Sequence, residues 1–87
     1  MAKTKSGFEY SLNEEMLNDW DVVTILDSLS KGKASMVDIN TLFSTLIGDE
    51  GFKNLKAHVK ENNNGVADVQ GMMEELKDIM SGSKVKN

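Results

Sequence analysis

Side chains able to do chemistry are few in this sequence, and they are not grouped as a catalytic centre requires. His58 is the sole histidine, the one side chain that ordinarily titrates near neutral pH, and the chain has no cysteine and no arginine. With no second imidazole or thiolate to complete a zinc set or a nucleophile pair, His58 reads as a solvated surface residue. The carboxylate pairs, Glu14 with Glu15 and Glu74 with Glu75, are sequence neighbours. Adjacent positions on a helix do not face one another, so these acids read as capping and solubility groups. No glycine-rich phosphate loop is present. The inventory points to a protein without catalysis, cofactor or resident metal.

Two loops invite a calcium reading, because an EF-hand loop also turns on a glycine at its sixth position. Aligned on Gly65, the segment Asn62-Asn63-Asn64-Gly65 puts Lys60 at the first ligand position and Gly71 at the twelfth, where calcium needs carboxylates. Aligned on Gly32, the segment from Asp27 to Asp38 offers Leu29 and Lys31 as ligands. Both loops read as helix stops. A degenerate EF-hand-like regulatory adaptor stays open as an alternative, and calorimetric calcium titration separates it. The ordered basic row Lys53, Lys56 and Lys60 keeps open a second alternative, a small DNA-binding regulator. Against it, the body between the terminal lysines holds six lysines and 14 acids, a balance of −8 that repels phosphate backbones. Neither nucleic acid nor membrane is an expected partner; no run approaches the roughly 18 apolar residues of a membrane span.

The elements that position these residues are punctuated clearly. Residues 1–6 read as a flexible leader with no apolar signal region after them, which makes the cytoplasm the expected compartment. Gly7 to Leu12 alternate apolar and polar, the period of a half-buried strand that needs a pairing partner. Asn13 is placed to cap a first helix near 14–31, with Glu14 and Glu15 in its first turn and Lys31-Gly32 as its stop. Ser35 with Asp38 forms a capping box for a second helix near 36–47, where Ile39, Leu42, Phe43 and Leu46 follow helical spacing up to Gly48. Asp49 is placed to cap a third helix near 50–62, and Asn62 to Gly65 stop it. A fourth helix spans about 67–80, and 81–87 read as a flexible tail. The expected fold is mainly α: one domain over 7–80, a bundle of about four helices with a short N-terminal strand or hairpin arm.

Apolar rows on these helices supply the candidate contacts. Met16, Trp20 and Val23 lie on one side of the first helix, while Val22, Ile25, Leu26 and Leu29 widen its stripe past half the circumference. An ordinary surface helix shows a stripe of about 100°. The excess predicts packing on two sides, in which Trp20 serves first as a core anchor and second as a contact residue. Met72, Met73 and Met80 share the stripe of the last helix, as core filling or as an adaptable apolar surface. The candidate interaction residues are therefore Trp20, Ile25, Leu29, Met72, Met73 and Met80, joined by Lys53, Lys56 and Lys60, which suit an acidic face such as Glu15, Asp19 and Asp27 on a neighbouring subunit.

Gly7-Phe8-Glu9-Tyr10 leading into Asn13-Glu14-Glu15-Met16-Leu17-Asn18-Asp19-Trp20 resembles the opening of tail assembly chaperones from long-tailed phages and prophages of Gram-positive bacteria. The likeness continues through Leu46-Ile47-Gly48-Asp49-Glu50-Gly51-Phe52, Leu55-Lys56-Ala57-His58 and Asn64-Gly65-Val66, covering about residues 7–80 in order. That resemblance implies a small helical protein, non-catalytic, which keeps the tape-measure protein soluble and helps recruit tail-tube subunits. It implies work in the host bacterial cytoplasm, absence from the finished virion, and self-association, common in the group. A longer frameshifted product is also frequent there.

Overall fold

In the computed structural model, which describes residues 2–85 and side chains as far as residue 81, the N-terminal alternation becomes one strand of a hairpin. Strand β1 (Ala2–Lys3) pairs antiparallel with β2 (Glu9–Tyr10), Ala2 opposite Tyr10 and Lys3 opposite Glu9. The ladder is shorter than the expected strand over 7–12, yet the alternation holds: Phe8 and Tyr10 are buried with Glu9 exposed between them. Their rings stack at 6.4 Å. Residues 2–6, set outside the domain by the sequence reading, belong to this hairpin; the Thr4 amide donates to the Phe8 carbonyl at 2.9 Å and the Gly7 amide to the Thr4 carbonyl at 3.0 Å.

The long first helix expected over 14–31 is broken in two. Residues Glu14–Asn18 form a 3₁₀ helix, and α1 runs from Trp20 to Ser30. The cause is Asp19, whose extended backbone lets its Oδ2 accept from the amides of Asp21 at 3.0 Å and Val22 at 3.2 Å. A carboxylate that satisfies two open amides competes with continuing the helix and wins here. Asn13, the expected cap, makes no side-chain capping bond; its own amide donates to the Leu46 carbonyl at 2.8 Å. The break also resolves the over-wide stripe. Val22 and Ile25 are buried and Leu26 and Leu29 half-buried, a stripe of ordinary width, while Trp20 and Val23 are left on the solvent side. The end of α1 is as expected: the Lys33 amide donates to the Ser28 carbonyl at 2.8 Å and the Gly32 amide to the Leu29 carbonyl at 3.0 Å, a Schellman stop.

Helix α2 spans Met36–Glu61 and begins on the predicted capping box, with the Asp38 amide donating to Ser35 Oγ at 3.1 Å. Two separate helices were expected here, about four in all. In the structure Met36–Glu61 is two helical segments that meet at a non-helical Gly48, as expected; described as the one element α2, it leaves three α-helices among the described residues. Gly48 sits at φ 83°, ψ 162°, a region open essentially to glycine alone. The interruption folds the element back on itself. Phe43 and Phe52, nine residues apart, lie about 13.5 Å apart along a straight helix, yet their rings stack here at 5.0 Å. Asn64 and Gly65 take positive φ, 56° and 87°, and end the element where the sequence placed the stop. Helix α3 covers Val69–Val85, so its backbone continues five residues past the expected end at 80 and through part of the expected tail; residues 86–87 lie outside the described residues.

Leu42, Phe43, Leu46 and Leu55 of α2 form the centre of the core, with Val22 and Ile25 from α1, Leu76 and Ile79 from α3, and Phe8 and Tyr10 from the hairpin around them. Among the described residues no helix is long and apolar enough to cross a membrane. Substituting Gly48 by alanine is expected to destabilise the protein by about 1–3 kcal/mol through backbone strain alone, because the space around its Cα is open. Urea unfolding of Gly48→Ala beside Gly48→Asn measures this, and an unchanged midpoint for alanine contradicts it.

Candidate functional site

The hairpin is fastened to α2 and α3 by a cluster of polar side chains. Glu75, read from the sequence as a solubility group, is 7 % exposed and accepts two hydroxyl protons: Thr4 Oγ1 donates to its Oε1 at 2.8 Å and Ser6 Oγ to its Oε2 at 2.9 Å. Ser6 Oγ also lies 2.9 Å from His58 Nε2. His58 is therefore not a free surface group; it is half-buried, with the Phe8 ring 5.5 Å from its own. The Lys5 amide completes the attachment by donating to Asp78 Oδ2 at 3.0 Å.

A serine, a histidine and a carboxylate within hydrogen-bond reach call for a test against nucleophilic catalysis. In a catalytic triad the acid holds the far nitrogen of the histidine, whose near nitrogen takes the serine proton. Here the acid sits on the serine. The Ser6 proton is directed to Glu75, and His58 Nε2 lies within reach of both Ser6 Oγ at 2.9 Å and Asn62 Nδ2 at 3.3 Å, its donor or acceptor role set by the tautomer. The arrangement ties the hairpin, α2 and α3 together, with the acid on the serine and not on the histidine. The phenol of Tyr10 is held above its ordinary value of 10.0 by burial first and by the Asp78 carboxylate second.

At the Asn62–Gly65 loop the side chains are engaged with the backbone and with one another. Asn63 Nδ2 donates to the Val66 carbonyl at 3.1 Å and to Asp68 Oδ1 at 3.0 Å, bracing the loop from within. Among the described residues no three His, Cys, Asp or Glu side chains are grouped to hold a metal ion.

Two apolar surfaces remain. The first is a groove of about 120 Å³ created by the Gly48 interruption: Met36, Ile39 and Phe43 come from the first half of α2, Phe52 and Lys56 from the second, and Val69, Met72 and Met73 from the start of α3. Lys56 marks its edge, with Nζ 4.5 Å above the Phe52 ring. Met36 and Val69 stand exposed at the rim. A groove this small is below the roughly 300–1,000 Å³ of small-molecule and cofactor pockets. It suits one side chain of another macromolecule. The second surface is the ridge of Trp20 and Val23, with Thr24 and Asp27 beside them on α1. Trp20 is 84 % exposed, which corrects its reading as a core anchor; its position immediately after the Asp19 cap turns it away from the core stripe.

The candidate residues thus separate. Met72 and Met73 line the groove with Lys56; Lys53 and Lys60 are exposed on the same helical row; Trp20 forms the ridge. Ile25 is buried, Leu29 is half-buried against the core, and Met80 packs on the core outside the groove. Missed by sequence reasoning were Met36, Phe52 and Val69. The signal available for them was Gly48 between two phenylalanines, which marks a reversal as readily as an end. Comparison of the chain with family models, with curated proteins and with solved structures gives no match.

Proposed function

We propose that this protein is a tail assembly chaperone of a long-tailed phage or prophage, a non-catalytic binder that keeps the tape-measure protein soluble and helps recruit tail-tube subunits. The sequence likeness over residues 7–80 motivates the assignment. The observation that supports it most is the exposed apolar groove walled by Met36, Met72 and Met73, side chains flexible enough to repack against many apolar partners. A long helical client presents apolar residues at three- and four-residue spacing, and a groove that accepts one side chain engages such a stripe one anchor at a time. The body charge of −8 keeps the loaded complex apart from others of its kind. Because each contact is small, many copies share one client.

Co-expression with a helical tape-measure fragment is the test. Wild-type protein is expected to raise the soluble fraction of the fragment, and Met72→Glu, which puts a carboxylate on the groove wall, is expected to remove the gain. A fragment equally soluble with wild type, with Met72→Glu and with neither overturns the assignment.

A further inference from the structure

Groove and ridge complement one another in size and in charge, and no residue belongs to both. The groove, at about 120 Å³, is close to the roughly 150 Å³ cavity that holds a benzene ring, so it takes one six-membered ring and leaves the remainder of an indole at its open rim. Trp20 is the one aromatic side chain standing exposed among the described residues. Around the ridge, residues 14–27 carry five carboxylates and no cation; at the groove, Lys56 lines one wall with Lys53 and Lys60 on the same helical row, while Asp38 and Asp68 beside the other walls are engaged in hydrogen bonds with Ser35 and Asn63. Asp19 is engaged in its cap and Asp27 holds Lys31 at 3.0 Å, while Glu14, Glu15 and Asp21 have no ion-pair partner among the described residues. The ridge does not fill the groove of its own chain.

We infer that a second copy of this chain seats its Trp20 in the groove beside Met72 and Met73, its flanking carboxylates facing the lysine row. The contact is heterologous: each copy offers one ridge and one groove, so association runs head to tail, closing into a ring or extending. One tryptophan buries roughly 150–250 Å², and a contact built on it is small beside the ~1,200 Å² and more of stable interfaces. Association is therefore weak, concentration-dependent and diminished by salt. It needs only the chain itself and is tested without a client, but both readings place an apolar side chain in the same groove, so self-association and client binding exclude one another there.

Sedimentation velocity and tryptophan emission of the full chain across a concentration series, at low and high salt, test this. Trp20 is the only tryptophan, so its emission reports the contact directly. Wild type is expected to associate with a blue shift; Trp20→Ala and Val69→Glu, both at exposed positions, are each expected to weaken self-association about tenfold or more. The decisive sample is their mixture. Trp20→Ala keeps the groove and Val69→Glu keeps the ridge, so mixing is expected to give a one-to-one heterodimer and a blue-shifted emission that comes from Val69→Glu alone. Circular dichroism confirms that both variants fold, and Met36→Glu repeats the groove block at a second exposed position. Wild type that stays monomeric throughout, or variants that fail to pair when mixed, overturns the inference; the former leaves the groove to a different protein and the latter indicates a symmetric contact.

Discussion

Replacing Phe43 by alanine is expected to remove about 3–5 kcal/mol of folding free energy, the largest effect of any single substitution considered for this protein. The ring is almost wholly buried, it stacks on Phe52 at 5.0 Å, and it contributes to the floor of the groove. Its loss removes the packing that holds the two halves of α2 against each other across Gly48. At about 0.05–0.15 kcal/mol per residue, a chain of 87 residues has a total stability of roughly 4–13 kcal/mol. The loss is about a quarter or more of that total, and at the lower end of the range it brings the variant to the edge of unfolding at 25 °C. Phe43→Leu, which keeps much of the apolar volume, is expected to lose a smaller amount, about 1–2 kcal/mol, and supplies a folded comparison. Urea titration followed by circular dichroism gives both numbers. A Phe43→Ala loss below about 1 kcal/mol would mean that the ring is not the hub of the fold.

The second large effect belongs to Glu75. Hydrogen bonds to a charged group contribute about 1.5–3 kcal/mol each, and Glu75 accepts two, from Thr4 and Ser6. Because both share one carboxylate they are not additive, and Glu75→Ala is expected to cost about 2–4 kcal/mol. The loss has a location. Thr4, itself buried, is left without its Glu75 acceptor, and the hairpin that carries Phe8 and Tyr10 into the core is held by apolar contact, the Lys5 to Asp78 bond and the Ser6 to His58 contact. Amide hydrogen exchange is expected to accelerate at Thr4 and Phe8, whose amides close the hairpin turn, well before α2 opens. Glu75→Gln retains one acceptor oxygen and is expected to lose about half as much. Hairpin amides as protected in Glu75→Ala as in wild type would show that Phe8 and Tyr10 hold the arm unaided.

The two substitutions differ in how visible their targets are in the sequence. Phe43 sits on a row with Ile39, Leu42 and Leu46, so its burial follows from spacing, although its stacking partner nine residues away does not. Glu75 gives no such indication. It stands beside Glu74 on the polar margin of a helix and becomes a core acceptor only because the hairpin brings two hydroxyls to it. His58 is displaced from solvent by the same arm. Trp20 is the reverse case: apolar spacing counts it with the core, and the cap one residue before it sets it outside.

What this sequence determined by itself was everything settled within about one helical turn: the Ser35 and Asp38 capping box, the Gly32 stop, the left-handed Asn64 and Gly65, and the inward Phe8 and Tyr10. In each case the bonded or opposed groups are a few residues apart, so side-chain type and spacing suffice. Tertiary structure alone decided that the Asn13 amide is taken by the Leu46 carbonyl, that Gly48 folds α2 back instead of merely ending a helix, and that residues 2–6 lock onto α3. Those outcomes join groups as many as 73 positions apart. Their balance is set by which surfaces the packed core leaves free, a quantity no local pattern contains.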